Sequence, residues 1–257
     1  MNHHFHLLAF VVLLTGNLYA SAPQTVDSLL RVLDKEIACA DEYISLREEQ
    51  AETLKTIFQR DPTAEMAFSI AEVYSPYICD SALLYYERAK QLCKGDIPDY
   101  IQIGLENCRL RMYGAESVYE RHYTDLVPPT DTHEYAIYAY EKSETARKAN
   151  NDLERKEWLI RSALADVRSG ITDNASSWML AESVFDEGKG DIERAYRYIQ
   201  YSLANAAIFN ARMRFGQINK VSQIISTAHE QQQEQAAQRL YIILGILVFM
   251  LLLSLIH

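Results

Sequence analysis

Hydrophobic residues recur every three or four positions along most of the chain, between two continuous apolar segments at its ends. The first stripe runs from Val26 to Phe58 and predicts one long helix, which ends where Asp61 precedes a proline. Paired shorter helices follow, each pair occupying about 30 to 40 residues, a period typical of helical hairpins stacked into a solenoid. Gly, Pro and Asn separate the predicted helices, which cover 63–74, 80–94, 98–113, 115–126, 132–149, 152–169, 172–187 and 191–206. The alternative for the same pattern is an irregular helical bundle.

The segment from Leu240 to Ile256 contains no charged residue. At about 1.5 Å per residue it spans roughly 25 Å as a helix, enough for a thin or locally adapted bilayer core. It predicts a single transmembrane helix, the alternative being a buried C-terminal core helix. The polar run before it has no helix breaker, so one nearly continuous helix is expected from the last repeat into the membrane.

The N-terminal apolar run, Leu7 to Leu14, is too short to span a bilayer and is followed by small residues up to Ala22. This layout predicts a signal peptide over 1–22, with an uncleaved anchor as the alternative. The two ends together predict an inner-membrane, single-pass protein with residues 23–239 in the periplasm. No Lys or Arg follows Ile256, so we expect either a chain that continues further or a tail-anchored variant.

The last helical pair has the clearest motif. Its first helix carries a large, a small and an aromatic residue on one face, namely Trp178, Ala181 and Phe185. After a turn, the inner face of the second helix consists of small and aliphatic residues: Ile192, Ala195, Ile199, Ser202 and Leu203. This pattern resembles the tetratricopeptide repeat, in which small residues let neighbouring helices approach. The predicted fold is therefore an all-α, TPR-like helical-hairpin solenoid with a C-terminal single transmembrane helix. Its parts are a signal peptide at 1–22, a long N-terminal helix at 23–61, helical repeats at 62–207, a juxtamembrane helix at 208–239 and a transmembrane helix at 240–256.

Two segments extend this resemblance to nearly all of residues 24–256. They are VDSLLRVLDKEIACADEYISLREEQAETLK near the start and ANAAIFNARMRFGQINKVSQII before the membrane. Both resemble a family of Gram-negative bacterial envelope proteins with an exported helical-repeat domain and a single membrane pass, described as uncharacterised proteins and as candidate transcriptional regulators. Members of that family continue past the membrane into a coiled coil and a DNA-binding region. This sequence ends at His257, which puts direct gene regulation by this chain in doubt.

Composition and motifs favour binding over catalysis. The net charge of -10 is carried by residues 23–239 and argues against nucleic-acid binding by this chain. No HExxH, GxSxG, GxGxxG or phosphate-loop motif occurs, so we expect no enzyme activity, metal or cofactor. The four cysteines have no CxxC spacing; an oxidising compartment would permit a disulfide between Cys79 and Cys108 if their helices pack antiparallel, the alternative being small buried side chains.

A solenoid presents a concave surface formed by the first helix of each pair. There, Tyr135 and Tyr138 share a helix face, with Arg109 and Arg111 on the previous pair, and aromatics beside guanidinium groups suit a peptide or anionic ligand. Packing of these tyrosines between repeats is the alternative. The expected function is a periplasmic sensor or binding module for a protein, peptide or envelope ligand. The alternatives are a structural adaptor without signalling and an envelope hydrolase. A homodimer through the juxtamembrane helix is a further expected partner interaction.

Overall fold

The computed structural model describes residues 25–113, 127–173, 175–185, 190–210 and 212–256. All regular secondary structure in these ranges is helical, which confirms the all-α prediction. The described helices are α1 (Val26–Ala38), α2 (Ala40–Arg60), α3 (Ala64–Tyr74), α4 (Cys79–Leu92), α5 (Asp99–Tyr113), α6 (His133–Lys148), α7 (Asp152–Arg168), α8 (Ala175–Val184), α9 (Ile192–Phe209) and α10 (Arg212–Ile256). The signal peptide predicted at 1–22 and the helix predicted at 115–126 lie outside the described residues.

Polar side chains set the starts of five helices. At each start a hydroxyl, amide or carboxylate oxygen accepts a hydrogen bond from a backbone N–H of the first turn, which would otherwise have no partner inside the helix. The capping residues are Thr25, Thr63, Thr132, Asn151 and Asp191. These caps place the helix boundaries close to those predicted from hydrophobic spacing.

The segment predicted as one N-terminal helix is divided at Cys39. Cys39 leaves helical geometry, with φ of -105° and ψ of 9°. The division has a packing reason, because α1 lies mainly against α7 whereas α2 also packs against α3. A bend between the two helices lets each bury its own apolar stripe.

Consecutive helices pack as hairpins around two main apolar cores. One core is formed by α1 and by α7 to α10, and the other lies among α2 to α5. Phe209, at the end of α9, is buried in the second core and connects the two. Tyr135, Ala136 and Ala139 of α6 form a smaller cluster with Ala165 of α7.

Helices α4 and α5 approach closely at Gly104. A Cβ atom on Gly104 would lie 2.4 Å from the ring of Tyr86, so any larger residue there would have to displace this buried ring. Nearby, the Cys79 thiol donates a hydrogen bond to the Cys108 carbonyl oxygen at 3.3 Å. Both cysteines are buried and, like Cys39 and Cys93, are free thiols. Cys79 and Cys108 therefore lie close together as small buried side chains, the second of the two alternatives from the sequence, and they form no disulfide in the structure.

The last helix, α10, is uninterrupted from Arg212 to Ile256. Its first part is fixed to the helical body through Ile218 and Ile225, which are buried against α8 and α9. From Leu240 to Leu253 the side chains are exposed and free of charge. This helix is long and apolar enough to cross a membrane.

Candidate functional site

A polar cleft of about 340 Å³ lies where the N-terminal helices meet the later repeats. Among the described residues that line it, every one except Pro76 has a polar side chain. They are Arg47, Glu72, Ser75, Pro76, Arg111, Asp131, Thr132, His133, Glu134 and Ser169. The C-terminal ends of α3 and α7 and the N-terminal end of α6 converge on this cleft.

Arg47 ties two of these helix ends together. Its Nε donates to the Ser169 carbonyl oxygen at 2.8 Å, and its Nη1 donates to the Val73 carbonyl oxygen at 2.9 Å. A cation at helix C-termini complements the carbonyl groups that have no partner inside the helix. Burial lowers the pKa of Arg47, and the nearby carboxylates of Glu134 and Asp166 act in the opposite direction.

Arg111 closes the cleft from α5. Its Nη1 donates to the Ser75 carbonyl oxygen at 3.3 Å and lies 3.5 Å from the buried Asp173 carboxylate. Burial opposes the charge of Arg111, but the negative charge of nearby groups, first of all the Asp173 carboxylate, outweighs it and raises the pKa of Arg111. This arginine therefore has its counter-ion within the protein.

The start of α6 forms the opposite side of the site. Thr132 caps the helix, and His133 Nδ1 lies 2.8 Å from Oδ1 of the buried Asp166. Asp131 accepts a hydrogen bond from Arg168 at 2.9 Å. Glu134, in the first turn, is exposed and forms no hydrogen bond or ion pair with the described part of the chain.

The four residues that the sequence suggested for binding do not form one site in the structure. Arg111 lines the cleft, but Arg109 is exposed and pairs with Glu87. Tyr135 is only 7% exposed, and its ring lies 6.0 Å from that of Tyr138 in the α6 cluster.

Tyr138 also meets Trp158 of α7 edge-on, with ring centroids 6.1 Å apart. The cation over its ring is Lys142 Nζ, at 5.3 Å from the centroid, and not an arginine of α5. The two tyrosines thus pack between repeats, which was the alternative interpretation of the sequence.

Arg47 and Glu134 were missed by the sequence analysis. Arg47 had a recognisable signal, because it interrupts the apolar stripe of α2 between Ile44 and Ala51. A charged residue on the buried face of a helix needs partners from another element, and here they are the ends of α3 and α7. Glu134 had no comparable signal, since an acidic residue in the first turn of a helix is common.

Comparison with known proteins identifies the repeat region. Residues 100–220 match a family model described as the SusR N-terminal TPR domain. No curated protein and no solved structure matches the chain. The match begins in α5 and ends in α10, so it includes Arg111, residues 131–134 and Ser169 of the cleft. The other lining residues precede it: Arg47 is in α2, Glu72 is in α3, and Ser75 and Pro76 follow the end of α3. The region from α5 into α10 is therefore a tetratricopeptide-repeat region, similar to the N-terminal domain of SusR and typical of protein-interaction modules.

Proposed function

We propose that this chain is a membrane-anchored recognition module of a bacterial regulatory system, with residues 23–239 on the periplasmic side of the inner membrane. The observation that carries this proposal is the continuity of α10, which begins against the repeats and ends in an exposed apolar segment. The match to the SusR N-terminal TPR domain supports a regulatory role and a protein or peptide as the partner.

The mechanical connection supports a sensor. His229 of α10 stacks on Tyr196 of α9 with ring centroids 4.0 Å apart, and its Nε2 lies 3.0 Å from the Glu193 carboxylate. These contacts hold α10 to the repeats almost up to its polar segment, residues 230–239. A helix transmits a displacement of the repeats to the membrane, whereas a flexible linker would absorb it.

The cysteines provide a test of sidedness. Cys39 is exposed, while Cys79 and Cys108 are buried. In a chain carrying Cys93→Ser, a membrane-impermeant maleimide should label intact spheroplasts through Cys39 alone. Cys39→Ser is the control and should remove the label. Labelling that requires lysis of the spheroplasts would place the repeats in the cytoplasm and contradict the proposal.

A helix-breaking substitution separates sensing from scaffolding. Replacement of residues 232–235 by Gly-Ser-Gly-Gly should leave the chain in the membrane but reproduce the transcript profile of the gene deletion. Replacement of the same residues by four alanines keeps the helix and should behave as the unmodified chain. If the deletion changes no transcripts while envelope complexes lose this chain's partners, the structural adaptor is the correct function.

A further inference from the structure

The charges that line the cleft are not all balanced within the protein. Arg111 pairs with Asp173, His133 with Asp166, and Asp131 with Arg168. Glu72 accepts a hydrogen bond from the hydroxyl of Tyr86. The hydroxyl of Tyr86 is neutral, so Arg47, Glu72 and Glu134 are the charged lining residues that form no ion pair within the described ranges. Of the two carboxylates, Glu134 is the one that also accepts no hydrogen bond from the described part of the chain.

Arg47 is held in position by backbone carbonyl groups and not by a carboxylate at contact distance. Two of its five N–H groups bond to backbone carbonyl oxygens, which are neutral, and no carboxylate in the described ranges forms an ion pair with it. A half-buried guanidinium with no carboxylate at contact distance favours an anion that enters the cleft, because partial desolvation strengthens the interaction. A planar carboxylate matches the fork of the guanidinium group.

Glu134 offers the complementary charge. Its side chain is exposed at the start of α6 and lines the same cleft, yet it makes no ion pair with Arg47. The charge of Glu134 nevertheless acts on Arg47, so the two groups are electrostatically coupled without touching. A ligand with an anion at one end and a cation at the other would contact both.

We propose that the cleft binds a small zwitterion, an amino acid or short peptide, with its carboxylate on Arg47 and its ammonium group on Glu134. The volume of about 340 Å³ is at the lower end of the range of small-molecule sites, about 300–1,000 Å³, and suits a molecule of this size. The inference rests on the proposed recognition function and names its ligand class. The ligand would contact Arg47 on α2, which precedes the residues matched by the family model, and Glu134 on α6, which lies among them. Binding would therefore connect α2 to the repeat region.

Calorimetry on the full chain in detergent micelles tests the charge requirement. The probes are glycine, diglycine, dialanine and triglycine, with N-acetyldiglycine, glycinamide, succinate and a neutral disaccharide as comparisons. At least one of the uncapped zwitterions should bind, and the loss of either charged end should weaken binding about tenfold or more. Equal binding of succinate or N-acetyldiglycine would overturn the role of Glu134, and binding of the disaccharide alone would overturn the ligand class.

Glu134→Gln tests the site itself. It should lower the affinity for the bound zwitterion about tenfold while leaving the unfolding midpoint unchanged, because Glu134 makes no hydrogen bond or ion pair with the part of the chain that the structure describes. Glu141→Gln is the matched control, two turns further along the same face of α6 and outside the lining. Arg47→Lys keeps the cation but loses the planar fork, so it should weaken binding. It also loses part of the bonding to the Ser169 and Val73 carbonyl oxygens, so its unfolding midpoint should fall and its affinity is measured at a temperature where the variant is folded.

Two results would overturn the inference. One is the failure of every uncapped zwitterion to bind at millimolar concentration, and the other is an unchanged affinity in Glu134→Gln. The spheroplast labelling and the transcript experiment do not depend on either result. A periplasmic chain with a helix-dependent transcript response and no zwitterion binding would therefore reject this ligand and retain the proposed function.

Discussion

Gly170 lies directly against the backbone of Tyr43, so that a Cβ atom on Gly170 would be 2.6 Å from the Tyr43 carbonyl oxygen. Its φ of +62° is in the left-handed region, which ends α7 and which L-residues with a side chain adopt at a cost. This contact is where α2 docks on the end of α7, one residue beyond the Ser169 carbonyl that Arg47 binds. The same tight approach that brings these helices together also forms one side of the cleft.

Gly170→Ala should therefore destabilise the protein substantially. The backbone conformation alone costs about 1–3 kcal/mol for a residue with a side chain, and displacement of α2 adds to it. Thermal unfolding of the full chain in detergent, followed by circular dichroism, measures the loss. Gly95→Ala is the control, since nothing lies within 4 Å of the added methyl group. Equal midpoints for the two variants would show that α2 does not rest on Gly170.

The local part of this fold could be predicted from the sequence. The stripe that suggested a repeat includes Ala181, Ala195 and Ile199, and all three are fully buried. Helical periodicity depends on neighbours three and four positions apart, so a single sequence carries it. The division at Cys39 was missed because no glycine or proline marks it; it follows from the different surfaces that α1 and α2 cover.

The cleft could not be predicted in the same way. Its members extend from Arg47 to Ser169 along the chain and come together only because α1 and α2 fold back onto α7. Hydrophobic spacing says which face of a helix is buried but not which other helix covers it. For that reason the sequence identified Arg111 as a candidate but paired it with tyrosines that pack between α6 and α7.

Asp34 and Asp27 on α1 should differ in their contribution to stability. Asp34 is largely buried, lies 3.1 Å from Arg194 and accepts a hydrogen bond from the buried Tyr198 hydroxyl at 3.0 Å. Asp34→Ala should cost about 1–2 kcal/mol, because it weakens the hydrogen bonding of that hydroxyl. Asp27 pairs with Arg31 on the exposed surface of the same helix, so Asp27→Ala should cost less than about 1 kcal/mol. Urea unfolding of both variants measures the difference, and a larger loss in Asp27→Ala would contradict the assignment.

Protonation of Glu36 should contribute to the decrease in the free energy of unfolding at acid pH. Burial opposes ionisation of Glu36, but hydrogen bonds from Tyr43 at 2.6 Å and from Arg168 at 2.8 Å outweigh it and lower the pKa from its ordinary value of 4.5. A carboxyl group whose pKa is lower in the folded state stabilises the fold above its unfolded pKa, and this contribution is lost as the pH falls through the folded pKa.

Glu36→Gln isolates this contribution. The substitution should lower the free energy of unfolding by about 1–2 kcal/mol at pH 7, because the amide replaces a charged acceptor. The gap between the two proteins should then narrow as the pH falls below 4.5. Urea unfolding at a series of pH values between neutrality and acid measures the gap, and a constant gap would show that Glu36 does not titrate in this range.

Charged residues in the exposed apolar part of α10 should release the protein from the membrane. Leu247 and Val248 lie in the middle of residues 240–256, and two arginines there cost about 5–7 kcal/mol of insertion free energy. The double variant Leu247→Arg, Val248→Arg should appear in the supernatant after alkaline carbonate extraction. Residues 1–22 are replaced by a cleavable signal sequence in this experiment, so that no N-terminal anchor remains.

The same charge added by Gln232→Arg and Gln233→Arg, in the exposed polar part of α10, should leave the chain in the membrane pellet. Retention of the first variant in the pellet would mean that α10 is not what holds this protein to the bilayer.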